Sequence, residues 1–123
     1  MAESHTYRIV LLANSESSRT KGLMHTDPLP DDECALFVFP RVADHSFWNH
    51  NVSYPLSLAF CDSGMKVLAI RNMDAMSQAA CRANNSSVKY VIEASQGALE
   101  GVEVGDRLTV DPDTMTLQFE SDD

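Results

Sequence analysis

The sequence predicts a single all-β domain, a β-sandwich or flattened barrel with antiparallel hairpins and short helices. Three observations predict it: seven short apolar runs of strand length and period, turn signals at close intervals between them, and no sustained helical stripe. A chain of 123 residues that is 44 % hydrophobic and 22 % charged is sized for one ordinary core. One domain over 1–123 follows, with an ordered core from about 6 to 120 and an acidic tail over 120–123.

The first run, YRIVLLA (7–13), has the length and apolar character of a strand, and SESSRTKGLM after it can make two helical turns over 15–24 with Ser15 as N-cap. CALFVF (34–39) is a second strand. LSLAFCD (56–62) and MKVLAIRNM (65–73) flank Ser63-Gly64 and read as a hairpin, and AMSQAACRANNSS between Asp74 and Ser86 is small and polar, a long loop. SVKYVIEA (87–94) is a further strand, and QGALEGV allows a helical turn over 96–101 before Gly101 ends it. RLTV (107–110) and TMTLQFE (114–120), joined by DPDT, form a second hairpin. In its last strand Met115, Leu117 and Phe119 alternate with Thr116, Gln118 and Glu120, one face to a core and one to water.

Nine basic against eighteen acidic residues give a formal charge of −9, which repels polyphosphates and anionic lipid, so neither nucleic acid nor membrane is an expected partner. The acidic runs Asp31-Asp32-Glu33 and Glu120 to Asp123 read as a solubilising face and tail. The start MAESHTYRIVLLA has neither the basic opening nor the apolar run of a secretory signal, so a cytoplasmic address is expected. Cys34, Cys61 and Cys81 are odd in number and lack CxxC spacing, which indicates free thiols, with Cys34 and Cys61 as small core hydrophobes.

The most informative stretch is SFWNHNVSYPL (46–56). Phe47 and Trp48 are apolar walls; Asn49, His50 and Asn51 are polar groups that a buried strand accommodates only with partners. Ligand pockets combine these two kinds of residue. Histidines five apart, His45 and His50, fall on opposite faces of a straight strand, so no metal site is expected, and no cofactor. His50 shares the Trp48 face at spacing two. Asp62 opens a hairpin turn and Asp106 follows Gly105 before a strand, positions where aspartate bonds its own backbone. Arg19 on the first helix can pair with Glu93 or Asp106, or hold a ligand carboxylate.

In order along the chain, RTKGLMHTDPLP, ALFVFP, FWNHNVSYPLSLAFCDSGMKV and YVIEASQGALEGVEVGDRL resemble the family catalogued as domain of unknown function 192, over about Tyr7 to Val110. The resemblance implies a compact all-β domain with small helices packed on it, and it brings no reaction. Its characteristic positions fall on Arg19, Gly22, Leu23 and Met24; Phe47, Trp48 and Asn51; Pro55 and Leu56; Asp62 and Gly64; and Glu93, Gly97, Gly105 and Asp106. Where the family carries Trp-Met-Lys-Asn-Thr this chain has Trp48-Asn49-His50-Asn51-Val52, Ser57 replaces the acid after Pro-Leu, and His25 stands where an arginine is common.

These readings favour a small soluble binding module without its own catalysis, recognising a small polar molecule or a protein surface through Arg19, Phe47, Trp48, Asn49, His50, Asn51 and Tyr54. Two alternatives are a hydrolase working through Asp62, Glu93 or His50, and a structural or assembly subunit. Trp48, the sole tryptophan, is expected either largely buried with its indole N–H bonded or as one wall of a cleft with His50.

Overall fold

The computed structural model describes residues 4–122. Its strands are β1 (Ser4–Ala13), β2 (Glu33–Ala43), β3 (Leu56–Cys61), β4 (Val67–Met73), β5 (Val88–Ser95), β6 (Arg107–Asp111) and β7 (Thr116–Glu120), with one helix, α1 (Glu16–Lys21), after β1. All seven strands match the apolar runs of the sequence to within a few residues, and the domain is all-β.

A single sheet in the order β4-β3-β5-β2-β1-β7-β6 curls into a half-barrel, which decides for the flattened barrel over the two-sheet sandwich. Its two edge strands meet: Lys66 and Arg107 form an isolated bridge, Val67 N–H donates to the Asp106 carbonyl at 2.9 Å and Leu108 N–H to that of Met65 at 2.7 Å. Asp122 reinforces this seam by pairing with Lys66 and Arg107 together, so that part of the expected solubilising tail is a clasp; Asp123 lies outside the described residues. β3–β4 and β6–β7 are the expected hairpins. Asp62 Oδ1 accepts from Lys66 N–H in the first turn, and Asp111 Oδ1 from Asp113 N–H in the second.

Not every neighbour is antiparallel. β1 and β2 run parallel, because the connection between them is a crossover long enough to contain α1 rather than a tight turn. Ser15 and Ser18 cap that helix reciprocally as a capping box. The other helical expectation fails. Residues 96–101 form successive turns, with Ala98 N–H to Ser95, Glu100 N–H to Gly97 and Val102 N–H to Leu99, since Gly97 and Gly101 both sit at φ 91°, outside helical space.

The curl encloses one core, to which every strand contributes, including Ile9, Leu36, Ala59, Ile92, Leu108 and Phe119. A second core covers the opposite face of the central strands: Ala35, Phe37, Leu58, Phe60 and Val91 pack under Leu23, Val52, Tyr54 and Ala83. Two-sided cover explains why every residue of β3 is buried. It also gives the 74–86 segment a packing role beyond that of a polar connector: Cys81 pairs with Phe47 in an isolated bridge and Ala83 is buried.

The end of α1 is fixed by Gly22, at φ 49° and ψ −131°, a backbone state open to glycine; a Cβ there would lie 3.3 Å from the Phe37 ring. Gly22→Ala is expected to lower stability by roughly 1–2 kcal/mol, read as a drop in thermal midpoint. An unchanged midpoint would show that the backbone relaxes without cost.

Candidate functional site

Between the end of α1, strand β2 and the 46–52 segment lies a cleft of about 360 Å³. Phe37, Phe39, Phe47, Trp48 and Val52 supply its apolar lining, and Arg19, Lys21, Asn49, His50 and Glu93 its polar groups. The aromatic lining interlocks by edge contacts: Phe47 meets the Phe37 ring at 5.1 Å and the Phe39 ring at 5.9 Å, both at 90°.

Each polar group is placed by a different element. On β5, Ile92 and Ala94 belong to the enclosed core, whereas Val91 and Glu93 point to the other face by the two-residue period. Glu93 lies across from Ala35 and Leu58, among apolar neighbours, where the strand pattern calls for a hydrophobic residue. It is 3 % exposed, and no hydrogen bond or ion pair reaches its carboxyl from the described residues. Burial pushes that carboxyl up to about 8.

Arg19 does not pair with either acid. Its Nη1 donates to the Val38 carbonyl at 2.8 Å and its guanidinium lies over the Phe39 ring at 5.3 Å, while Asp106 Oδ2 accepts from Glu103 N–H. The structural pairing expected for Arg19 is thus replaced by a backbone bond and an aromatic stack. Its remaining N–H groups are left for the cleft.

The motif SFWNHNVSYPL divides between scaffold and cleft. Asn49 is fully buried: Nδ2 donates to the carbonyls of Tyr54 at 3.0 Å and Asp74 at 2.9 Å, holding the segment to its neighbours. Two carbonyl acceptors fix the amide orientation, and its Oδ1 has no partner among the described residues. Trp48 is 47 % exposed, so full burial is corrected; the ring stands 4.8 Å from His50, and both line the cleft. Tyr54 and Asn51 lie outside the cleft lining. Tyr54 is buried with its hydroxyl 3.0 Å from Thr26 Oγ1, and Asn51 adopts φ 59°, a left-handed turn that asparagine tolerates, with its carbonyl accepting from His25 N–H. His45 stacks on Phe39 at 3.6 Å, and His50 bonds Gln78 through Nδ1. Among the described residues no three His, Cys, Asp or Glu side chains cluster as a metal-ligand set.

Phe37, Phe39, Lys21 and Glu93 were not among the sequence-derived ligand contacts. Glu93 carried a usable signal, an acid within the otherwise apolar YVIEA of a central strand; Phe37 and Phe39 look like ordinary core residues until the fold places α1 beside them.

With a half-barrel and a cleft walled by aromatic rings, the molecule is of the class of small β domains with an aromatic-walled cavity. The chain belongs to the domain of unknown function 192 family, described as "Uncharacterized ACR", whose profile matches residues 2–110. It is similar to a protein of unknown function from Novosphingobium aromaticivorans DSM 12444, at 26 % identity and TM-score 0.73, over 78 % of this chain and 70 % of that one. It is also similar to a protein from Sinorhizobium meliloti 1021 described as "a putative transcription regulator", at 28 % identity and TM-score 0.75, over 87 % of this chain and 92 % of that one. No curated protein matches the chain significantly. No helix among the described residues is long and apolar enough to cross a membrane.

Proposed function

We propose that the chain is a binding module that takes a small polar molecule into the cleft between α1 and the 46–50 segment. One observation carries the reading: a carboxyl, Glu93, is buried beside the aromatic side chains of an open cavity with no partner among the described residues, where it costs stability unless something entering the cleft interacts with it. Concavity favours a small molecule over a protein surface. The −9 charge argues against carrying the regulator description of the Sinorhizobium protein over as nucleic-acid binding.

A second reading has a specific observation behind it. Glu93 and His50 line the same cleft, and a carboxyl raised to about 8 can serve as a general acid near neutral pH. Asp62, the third candidate for hydrolysis, is outside the cleft and bonded into its own turn. The Cys34 and Cys61 thiols, pushed up to about 12 by burial, are poor nucleophiles.

The test uses Trp48, whose emission should lie close to that of water-exposed indole and shift when a ligand enters beside it. In a metabolite screen read by that signal and by thermal midpoint, His50→Ala should change stability by less than about 0.5 kcal/mol and weaken the hits. Hits whose affinity is untouched by His50→Ala and by Phe39→Ala would place binding elsewhere.

A further inference from the structure

The floor and the exposed side of the cleft carry opposite chemistry. Asn49 has committed both Nδ2 hydrogens to carbonyls, so its unpartnered Oδ1 can only accept, and Glu93 when ionised also only accepts. Both residues line the cleft, both are buried, and Phe37, Phe47 and Trp48 supply apolar lining beside them, the Phe39 ring already carrying His45 and Arg19. On the more exposed side stand Arg19, with guanidinium hydrogens beyond the one given to Val38, and Lys21, for which no ion pair is formed among the described residues.

Resting on the binding reading above, we infer that the ligand is a zwitterionic small molecule with an apolar body, its primary ammonium set against Glu93 and Asn49 and its anionic end against Arg19 and Lys21. An ammonium offers three donors to two acceptor groups and neutralises the carboxylate that burial disfavours. The arrangement makes binding proton-linked. The titratable or charged groups around Glu93 are Arg19 and Lys21 on α1, His50 on the loop, and Tyr54 and Cys81, both of which the Glu93 charge raises; across the sheet Ala35 and Leu58 are uncharged.

With Glu93 raised to about 8, its ionised fraction is small at pH 6 and rises through neutral pH. A ligand that selects the ionised form should therefore bind about 10- to 100-fold more tightly at pH 8 than at pH 6. A ligand that accepts a hydrogen bond from the protonated acid would loosen instead.

The experiment titrates the full chain with L-phenylalanine, phenethylamine and 3-phenylpropionate at pH 6, 7 and 8, followed by Trp48 emission and calorimetry. The expected result is tightest binding of L-phenylalanine, tightening as the pH rises, with phenethylamine, which lacks the anionic end, and 3-phenylpropionate, which lacks the ammonium, each about 10-fold weaker; ten-fold is the scale of one lost charged contact, and phenethylamine binding as tightly as L-phenylalanine would overturn the anionic half. Glu93→Gln should flatten the pH profile, while His50→Ala should keep it. If Glu93→Gln fails to fold, the wild-type profile alone decides. Preference for 3-phenylpropionate, or affinity that falls with pH, would overturn the zwitterion while leaving a ligand in the cleft. Silence from all three probes would overturn it too, with the binding reading then judged by the metabolite screen.

Discussion

Wild-type stability is expected to fall as pH rises from 5 to 9, and Glu93→Gln to abolish most of that fall. Glu93 has a folded value of about 8 against 4.5 for the free side chain, so between these two values the folded protein binds a proton that the unfolded chain releases. The unfolded state therefore binds fewer protons across that window, and unfolding free energy decreases with pH. The full benefit of a neutral, buried acid is present below about 4.5 and is lost as pH passes through about 8. The difference corresponds to on the order of 4 kcal/mol across the window. Glutamine has the same shape and no charge to desolvate, so the variant should exceed the wild type clearly at pH 9 and differ little at pH 5. Denaturant unfolding of both proteins at pH 5, 7 and 9 checks this. Parallel pH profiles for the two would mean that Glu93 gains solvent or a partner on ionising. The comparison also removes the contribution of the −9 net charge, since the other charges are common to both.

The second large effect falls on Asn49. Asn49→Ala should cost about 1–3 kcal/mol, because it strands the buried Tyr54 carbonyl and leaves that of Asp74 only the longer bond from Ser77 N–H. Asn49→Asp should be at least as damaging despite its equal size, because an acceptor then faces two acceptors. His50→Ala, one residue later in sequence, is nearly silent by comparison. Thermal melts of the three variants separate these roles: a drop of several degrees or more for the Asn49 changes is expected for a domain of this size. A melting point within a degree or two of wild type for Asn49→Ala would show that the 46–56 segment is held by its apolar contacts alone.

The sequence by itself determined the strands, and the reason is local. Alternation such as Met115 to Glu120 assigns faces within one strand, and Ser63-Gly64 and DPDT specify turns between neighbours in the chain. The Ser15 cap was equally legible, since capping chemistry lies within a few residues of itself. It also marked SFWNHNVSYPL as a stretch mixing pocket walls with polar groups. What it left open was which of those groups would face a cavity. Asn49 and His50 are adjacent in the chain and similar in polarity, yet one is bolted to Tyr54 and Asp74 and the other lines the cleft, a distinction made by residues 5 and 25 positions away.

Only the tertiary structure decided the rest. The parallel pairing of β1 with β2, the seam at Lys66 and Arg107, and the second core all depend on contacts between distant segments. Glu93 shows the physical reason most clearly. In sequence it is an acid in an apolar run, compatible with an ion pair to Arg19; in the fold, Arg19 is taken up by Val38 and Phe39, and the carboxyl is left buried in the cleft with no partner among the described residues. A residue type fixes what a side chain can donate or accept, but burial and the placing of its partners are properties of the packed chain, and they set its charge.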